Sequence, residues 1–204
     1  MASRNEEVAA QLSLEKKARM DEVIKKAKVS LVSEEVRDQC VAVVAEKEGL
    51  DKGAAVQLQI TALGGGLVNQ TGGTLTTAMD MQHQYGGYFV RDYPETIDGG
   101  GRYSNFYMGG VGGVEAAVAY VGKSGGGADC GWLLGFRAKG AGQVYAVCGP
   151  MLDFINLDWA DIKAKIERSG PAGDYYDQNT GSQIYAYINV DANGNYTVTA
   201  YFYG

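Results

Sequence analysis

Few residues in this chain are equipped for acid–base or nucleophilic chemistry. There is one histidine, His83, in the stretch MQHQYGG, and there are three cysteines, Cys40, Cys130 and Cys148. A Ser-His-Asp or Cys-His arrangement would have to run through His83, and no nucleophile elbow or catalytic-cysteine signature accompanies it. A zinc site needs several His, Cys or carboxylate ligands at suitable spacing, which one His and scattered Cys do not supply. His83 is therefore expected at a strand end or loop, in a surface or hydrogen-bonding role. An odd cysteine count makes no disulfide framework; Cys130 and Cys148 flank a hairpin and are expected as buried thiols.

Phosphate-loop chemistry fails on spacing. Gly122-Lys123-Ser124 follows a strand-like run, but the opening glycine of a Walker motif would fall at Ala117, and GGGAD follows instead of a helix. No cofactor and no metal are called for. Two Asn-x-Thr sequons, at Asn69 and Asn195, matter only in the secretory pathway. The opening residues MASRNEEVAAQLSLEKKARMDEVIKKAK hold no apolar run long enough for a signal-peptide core. The expectation is a cytoplasmic protein in which both asparagines are unmodified and serve the fold.

What remains is aromatic. The 14 tyrosines concentrate in DYPETIDGGGRYSNFYMGG and in the last hairpin. Amphipathic rings with hydroxyls suit sugar rings, sterols and quaternary ammonium headgroups. Tyr93, Tyr103, Phe106, Tyr107, Tyr185, Tyr187, Tyr201 and Tyr203 are the candidate ligand-binding residues. A net charge of −6 argues against nucleic acid and against electrostatic docking on anionic membranes. Sugars and neutral lipid headgroups stay open. An enzyme built on Asp92, Tyr93, Glu95 and Asp98 is the unfamiliar alternative.

The elements that must position these groups divide near Gly53. Up to Lys52 the chain carries 21 of its 42 charged residues and one of its 30 glycines. Residues 1–52 read as a helical segment packed on a Gly/Tyr-rich β domain of residues 53–204. A first helix is expected over about Glu6 to Lys28, with a loose stripe of Leu14, Met20, Val23, Ile24 and Ala27. A second starts at the N-cap Ser33 and stops at Gly49. Strands are expected at VQLQITAL, TLTTAMDM, GYFVRDY, YSNFYM, EAAVAYVG, CGWLLGFRA and QVYAVCG. One helix follows, capped by Asp158, with Trp159, Ile162 and Ile166 buried and Gly170-Pro171 as its stop. The end of the chain is a hairpin, QIYAYINV and YTVTAYFY around DANGN. Alternation puts Ile184, Ala186, Ile188, Val198, Ala200 and Phe202 on one face, and Tyr185, Tyr187, Tyr201 and Tyr203 on the other. The aliphatic face is expected in the core. That leaves four partly exposed tyrosines to contact a ligand or protein, with Tyr185 and Tyr201 as a cross-strand pair.

In order, VSLVSEEVRDQCVAVV, VQLQITAL, NQTGGTLTT, DYPETIDGGGRYSNF, GGVEAAVAYVG, ADCGWLLGF and DWADIKAKIERSG resemble the plant 23-kilodalton jasmonate-induced proteins. These are in turn distantly similar to lipid-binding β-sandwiches of actinoporin or aegerolysin type. The resemblance covers roughly residues 29 to 170. It implies a plant origin, induction by jasmonate, wounding or salt, and no catalytic residue. It also implies that Asn69 and Thr71 satisfy backbone groups at a turn. One departure is the Trp/Pro-rich segment of the lipid-binding relatives, where this chain reads RAKGAGQVYAVCG.

The combined reading is a mainly antiparallel β-sandwich with an N-terminal helical segment and one helix near the C-terminus. Its expected role is a non-enzymatic one in plant defence or stress, binding a carbohydrate or membrane-lipid headgroup. Peripheral membrane contact and homo-oligomerisation are compatible with it. A membrane-active or insecticidal toxin-like protein is the competing reading.

Overall fold

The structure, a computed structural model, describes residues 32–51, 54 and 58–204. The expected first helix and the boundary at Gly53 lie outside the described residues. Strands are numbered in chain order. One sheet runs β10 (Ala172–Tyr176), β11 (Gln183–Val190), β12 (Tyr196–Tyr203), β1 (Ile60–Asn69), β6 (Arg102–Val111) and β4 (Tyr88–Arg91). The other runs β5 (Thr96–Ile97), β2 (Leu75–Thr76), β7 (Val114–Lys123), β8 (Asp129–Ala138) and β9 (Gln143–Pro150), with β3 (Gln82–Gly86) also on β7. Every pair is antiparallel except β1 with β12. The expected mainly antiparallel β-sandwich is the observed fold.

Period-2 alternation builds the core between the sheets. Leu63, Leu67, Phe106, Met108, Ile184, Val198 and Phe202 meet Val118, Tyr120, Trp132, Leu134 and Phe136, all buried. Gly65 is inside a strand because Phe106 needs its space: a Cβ there would overlap the Phe106 ring. β1 therefore runs through Gly64–Gly66 to Asn69 rather than ending at Leu63 as VQLQITAL suggested. Trp132 Nε1 donates to the carbonyls of Gln183 (3.1 Å) and Tyr203 (3.0 Å), tying the second sheet to the final hairpin.

The two described helices start at their expected caps, but the second ends at Glu167 with Arg168 as its C-cap, ahead of Gly170-Pro171, and its Trp159 is only half-buried. In α1 (Glu34–Glu48) Ser33 Oγ accepts from the Val36 N–H (3.3 Å), and Gly49 ends the helix at φ 67°. α1 lies on the outer face of the first sheet, where Cys40 donates its thiol to the Met108 carbonyl (3.3 Å). In α2 (Trp159–Glu167) Asp158 Oδ1 accepts from the Ala160 and Asp161 N–H groups (3.0 and 3.2 Å). Ile162 and Ile166 then pack with Met81, Ala117, Ala119, Leu133 and Phe154 on the outer face of the second sheet. Ile166 comes so close to Gly135 that a Cβ there would meet it at 2.6 Å.

Three short strands were not expected: β3, β5 and β10. TLTTAMDM is a two-residue strand followed by a 3₁₀ turn, Met79–Met81, because Met81 turns in to join Ala117 and Ala119. No helix among the described residues is long and apolar enough to cross a membrane.

Candidate functional site

The eight aromatic candidates divide by strand face. Phe106 points into the core, as alternation along β6 requires once Tyr103 and Tyr107 point out. Tyr93 is core as well, its ring 4.9 Å from Phe89 and 4.6 Å from Phe106. Burial pushes the Tyr93 hydroxyl well above the ordinary tyrosine value, and no hydrogen-bond partner reaches it. Both residues are corrections to the expected ligand face. The carboxylate-and-tyrosine alternative around Asp92 and Glu95 loses its tyrosine for the same reason.

The other six tyrosines share the outer face of the first sheet, in rows fixed by register. Tyr185, Tyr201, Val68 and Tyr103 lie side by side across β11, β12, β1 and β6. Rings of Tyr185 and Tyr201 stack at 6.4 Å, and Tyr201 and Tyr203 at 6.4 Å, so the expected cross-strand pair is present. The expected exposure is not. Tyr201 is 4% and Tyr187 6% exposed, enclosed among neighbouring rings on interior strands of the sheet. Burial, with the adjacent tyrosines, raises the Tyr201 hydroxyl. Tyr185 and Tyr203 are half-buried, and Tyr107 accepts a hydrogen bond from Asn105 Nδ2 (2.8 Å). Only Tyr103 stands well out, at 49%.

A concave site lies elsewhere, on the second sheet. β9, the 3₁₀ turn Met151–Phe154, α2 and the turn after β10 enclose a groove of about 430 Å³. Its floor is apolar, from Val147, Phe154, Leu157 and Ile162, and Tyr145 and Tyr175 supply rings. Asp153, Asp158, Asp161 and Asp177 face a single Lys165. Each carboxylate but one has a structural duty. Asp158 caps α2, Asp161 pairs with Lys165 (2.8 Å), and Asp177 accepts from Thr180 N–H (2.9 Å) and Oγ1 (2.6 Å). The Thr180 bonds hold the Asp177 carboxyl below the usual carboxylate value. Among the described residues Asp153 has no hydrogen-bond or ion-pair partner, and Asp153 Oδ2 and Asp177 Cγ come within 3.9 and 4.0 Å of the position a Gly149 Cβ would take. The ammonium of Lys165 sits 5.6 Å from the centre of the Tyr145 ring, so the groove already seats one cation on an aromatic face.

The turn that supplies Asp153 and Phe154 to the groove also carries apolar side chains turned away from it. Leu152 and Ile155, on and just after the 3₁₀ turn, are 75% and 44% exposed. Sequence reasoning missed the groove because its residues come from four separate elements. The one signal was PMLDFIN, in which apolar residues recur without helix or strand period between a strand and a helix.

His83 lies exposed on β3, stacked on Trp159 (ring centres 5.5 Å, 18°) and 4.6 Å from Tyr85. Tyr85 donates to the Trp159 carbonyl (2.6 Å), and burial raises its hydroxyl. The expected surface role is what the structure gives His83. Gly122-Lys123-Ser124 enters the β7–β8 turn, where Lys123 pairs with Asp129 (2.8 Å).

A β-sandwich with a helix on the outer face of each sheet is thus the class of protein defined here. No protein-family model matches the chain. The chain is 28% identical over 148 residues to a jasmonate-induced protein homolog of Atriplex canescens, covering 69% of this chain and 78% of that one. The resemblance to jasmonate-induced proteins is borne out by that match. Among solved structures, the lipid binding protein Nakanori superposes with a TM-score of 0.57 at 12% identity, covering 88% of this chain and 91% of that one. A lectin of Xerocomus chrysenteron gives 0.43 at 10% identity, over 71% of this chain and 99% of that one.

Proposed function

We propose that this chain is a non-enzymatic stress protein that docks peripherally on membranes and holds the quaternary-ammonium headgroup of a lipid in the groove beside α2. One observation carries the reading: a pocket of carboxylates and tyrosine rings, next to which Leu152 and Ile155 stand exposed on and just after the turn that supplies Asp153 and Phe154. Aromatic faces and carboxylates favour an organic cation, and an excess of carboxylates disfavours an anion. Exposed aliphatic side chains adjacent in the chain to groove residues suit an interface between headgroup and acyl chain. The similarity to a jasmonate-induced protein supports the stress role, and the lipid binding protein of like fold supports the ligand class. A cytoplasmic home is supported by the burial of both sequon asparagines, Asn69 and Asn195.

Sedimentation with phosphatidylcholine and phosphatidylglycerol vesicles tests the reading. The protein should pellet with the former and not the latter. Fully burying a Leu or Ile side chain contributes about 1.5–3 kcal/mol. Replacing Leu152 and Ile155 by Ser should therefore weaken vesicle binding at least roughly tenfold, and Asp153→Asn should weaken it further. Failure to bind either vesicle ends the proposal.

A further inference from the structure

A second cleft opens at the far edge of the first sheet, independent of the groove beside α2. β4 pairs with β6 only as far as Arg91 opposite Tyr107, through a register shift between Phe89 and Arg91. Beyond that point the chain leaves the sheet because Tyr93 turns into the core between Phe89 and Phe106. The Pro94 carbonyl is then pegged by the buried Tyr120 hydroxyl (2.7 Å). β6 from Tyr103 to Asn105 is left with an unpaired edge, facing a space of about 410 Å³. That volume falls within the roughly 300–1,000 Å³ typical of small-molecule sites.

The chemistry around this space is of one kind. The Tyr103 ring is 49% exposed and faces it. Arg91 offers donors and Asp92 acceptors, and among the described residues neither has an ion-pair or hydrogen-bond partner, not even each other. Asn105 spends its Nδ2 on Tyr107 and keeps its carbonyl oxygen for a guest. The Arg91 guanidinium is close enough to Tyr103 to offset part of the rise that burial gives its hydroxyl, which reaches about 12. Opposite charges side by side leave no net field for an ion. A planar donor, two acceptors and an exposed ring face are what a polyhydroxylated ring needs, hydroxyls at its rim and C–H groups on its face.

We propose that the cleft between β6 and the Arg91–Pro94 segment is a binding site for a neutral pyranose sugar. Tyr103 stacks on the sugar face, Arg91 donates to its hydroxyls, and Asp92 and Asn105 accept from them. Saturation-transfer NMR on the full chain, with the methyl glycosides of glucose, galactose, mannose and N-acetylglucosamine as probes, tests it. At least one glycoside should receive saturation on its ring protons. Tyr103→Phe should keep the effect, Tyr103→Ala should abolish it, and Arg91→Ala, at an exposed site, should weaken affinity tenfold or more. Lys139→Ala, at an exposed residue outside both sites, should leave the glycoside saturation unchanged. The proposal is overturned if no glycoside is saturated, or if saturation survives both Tyr103→Ala and Arg91→Ala. Vesicle binding is read separately, so either site can fail alone.

Discussion

Asn69 and Thr71 are bonded to each other: both the Thr71 N–H (2.9 Å) and its hydroxyl (2.7 Å) donate to Asn69 Oδ1. Asn69 Nδ2 in turn donates to the carbonyls of Gly73 (2.8 Å) and Ile97 (2.7 Å), in a site sealed from solvent. A glycan on Nδ2 cannot share that site with two carbonyls. Intact mass of protein from native tissue should show no hexose-sized additions. Asn69→Ala strands several buried groups at roughly 1–3 kcal/mol each. The midpoint of urea unfolding should fall by the equivalent of about 2 kcal/mol or more.

Tyr201 is better placed for stability than for ligand contact. Tyr201→Ser opens a hole under the tyrosine row and should cost about 2 kcal/mol or more, as large-to-small changes at buried sites do. Tyr201→Phe, which keeps the ring, should be tolerated. Equal losses for both in thermal unfolding would place the energy in the hydroxyl instead.

The turn closed by Thr180 on Asp177 should sense acid. The folded carboxyl lies below its unfolded value, so the bond contributes fully above about pH 3.9 and is lost as pH falls through the folded value. The Thr180 amide resonance should therefore move only below the usual carboxylate range. Thr180→Ala should return the Asp177 titration towards the ordinary value.

All three cysteines are buried as free thiols. Burial lifts Cys40 to about 11 and also raises Cys148. Iodoacetamide at pH 8 should leave the native protein unlabelled and modify all three only once it is unfolded. Rapid labelling of the native chain would contradict the packing of α1 on β6.

His83 contributes a ring stack on Trp159. Aromatic pairs of this kind are worth about 0.5–1.5 kcal/mol. His83→Gln should lower stability by about 1 kcal/mol at most and leave vesicle binding unchanged. A hundredfold loss of function with the fold intact would bring acid–base catalysis back.

The sequence was legible where local chemistry decides. Ser33, Gly49, Asp158 and the Asn193-Gly194 turn mark their elements because caps and tight turns are short-range devices. Alternation correctly sent Ile184, Val198 and Phe202 inward. It did not fix what covers the other face, so Tyr187 and Tyr201 read as exposed. Gly65 misled because its reason, the Phe106 ring, lies 41 positions along the chain in another strand. The groove beside α2 was invisible for the same cause. Asp153, Tyr145 and Asp177 become neighbours only after β9, β10 and α2 have come together.

The parallel pairing of β1 with β12 has a bearing on how the molecule is made. β12 lies between β11 and β1, so the strand that follows the other eleven in the sandwich is the one that joins the two parts of the first sheet. Until it leaves the ribosome, β1, β6 and β4 carry an open edge at β1, and the Trp132 indole lacks the Tyr203 carbonyl it binds in the finished protein. Contacts of such sequence separation make folding slow, and the waiting edge invites pairing with other chains. The first sheet is therefore completed only once Tyr196–Tyr203 is available, and a chain halted before Tyr196 is a natural client for chaperones.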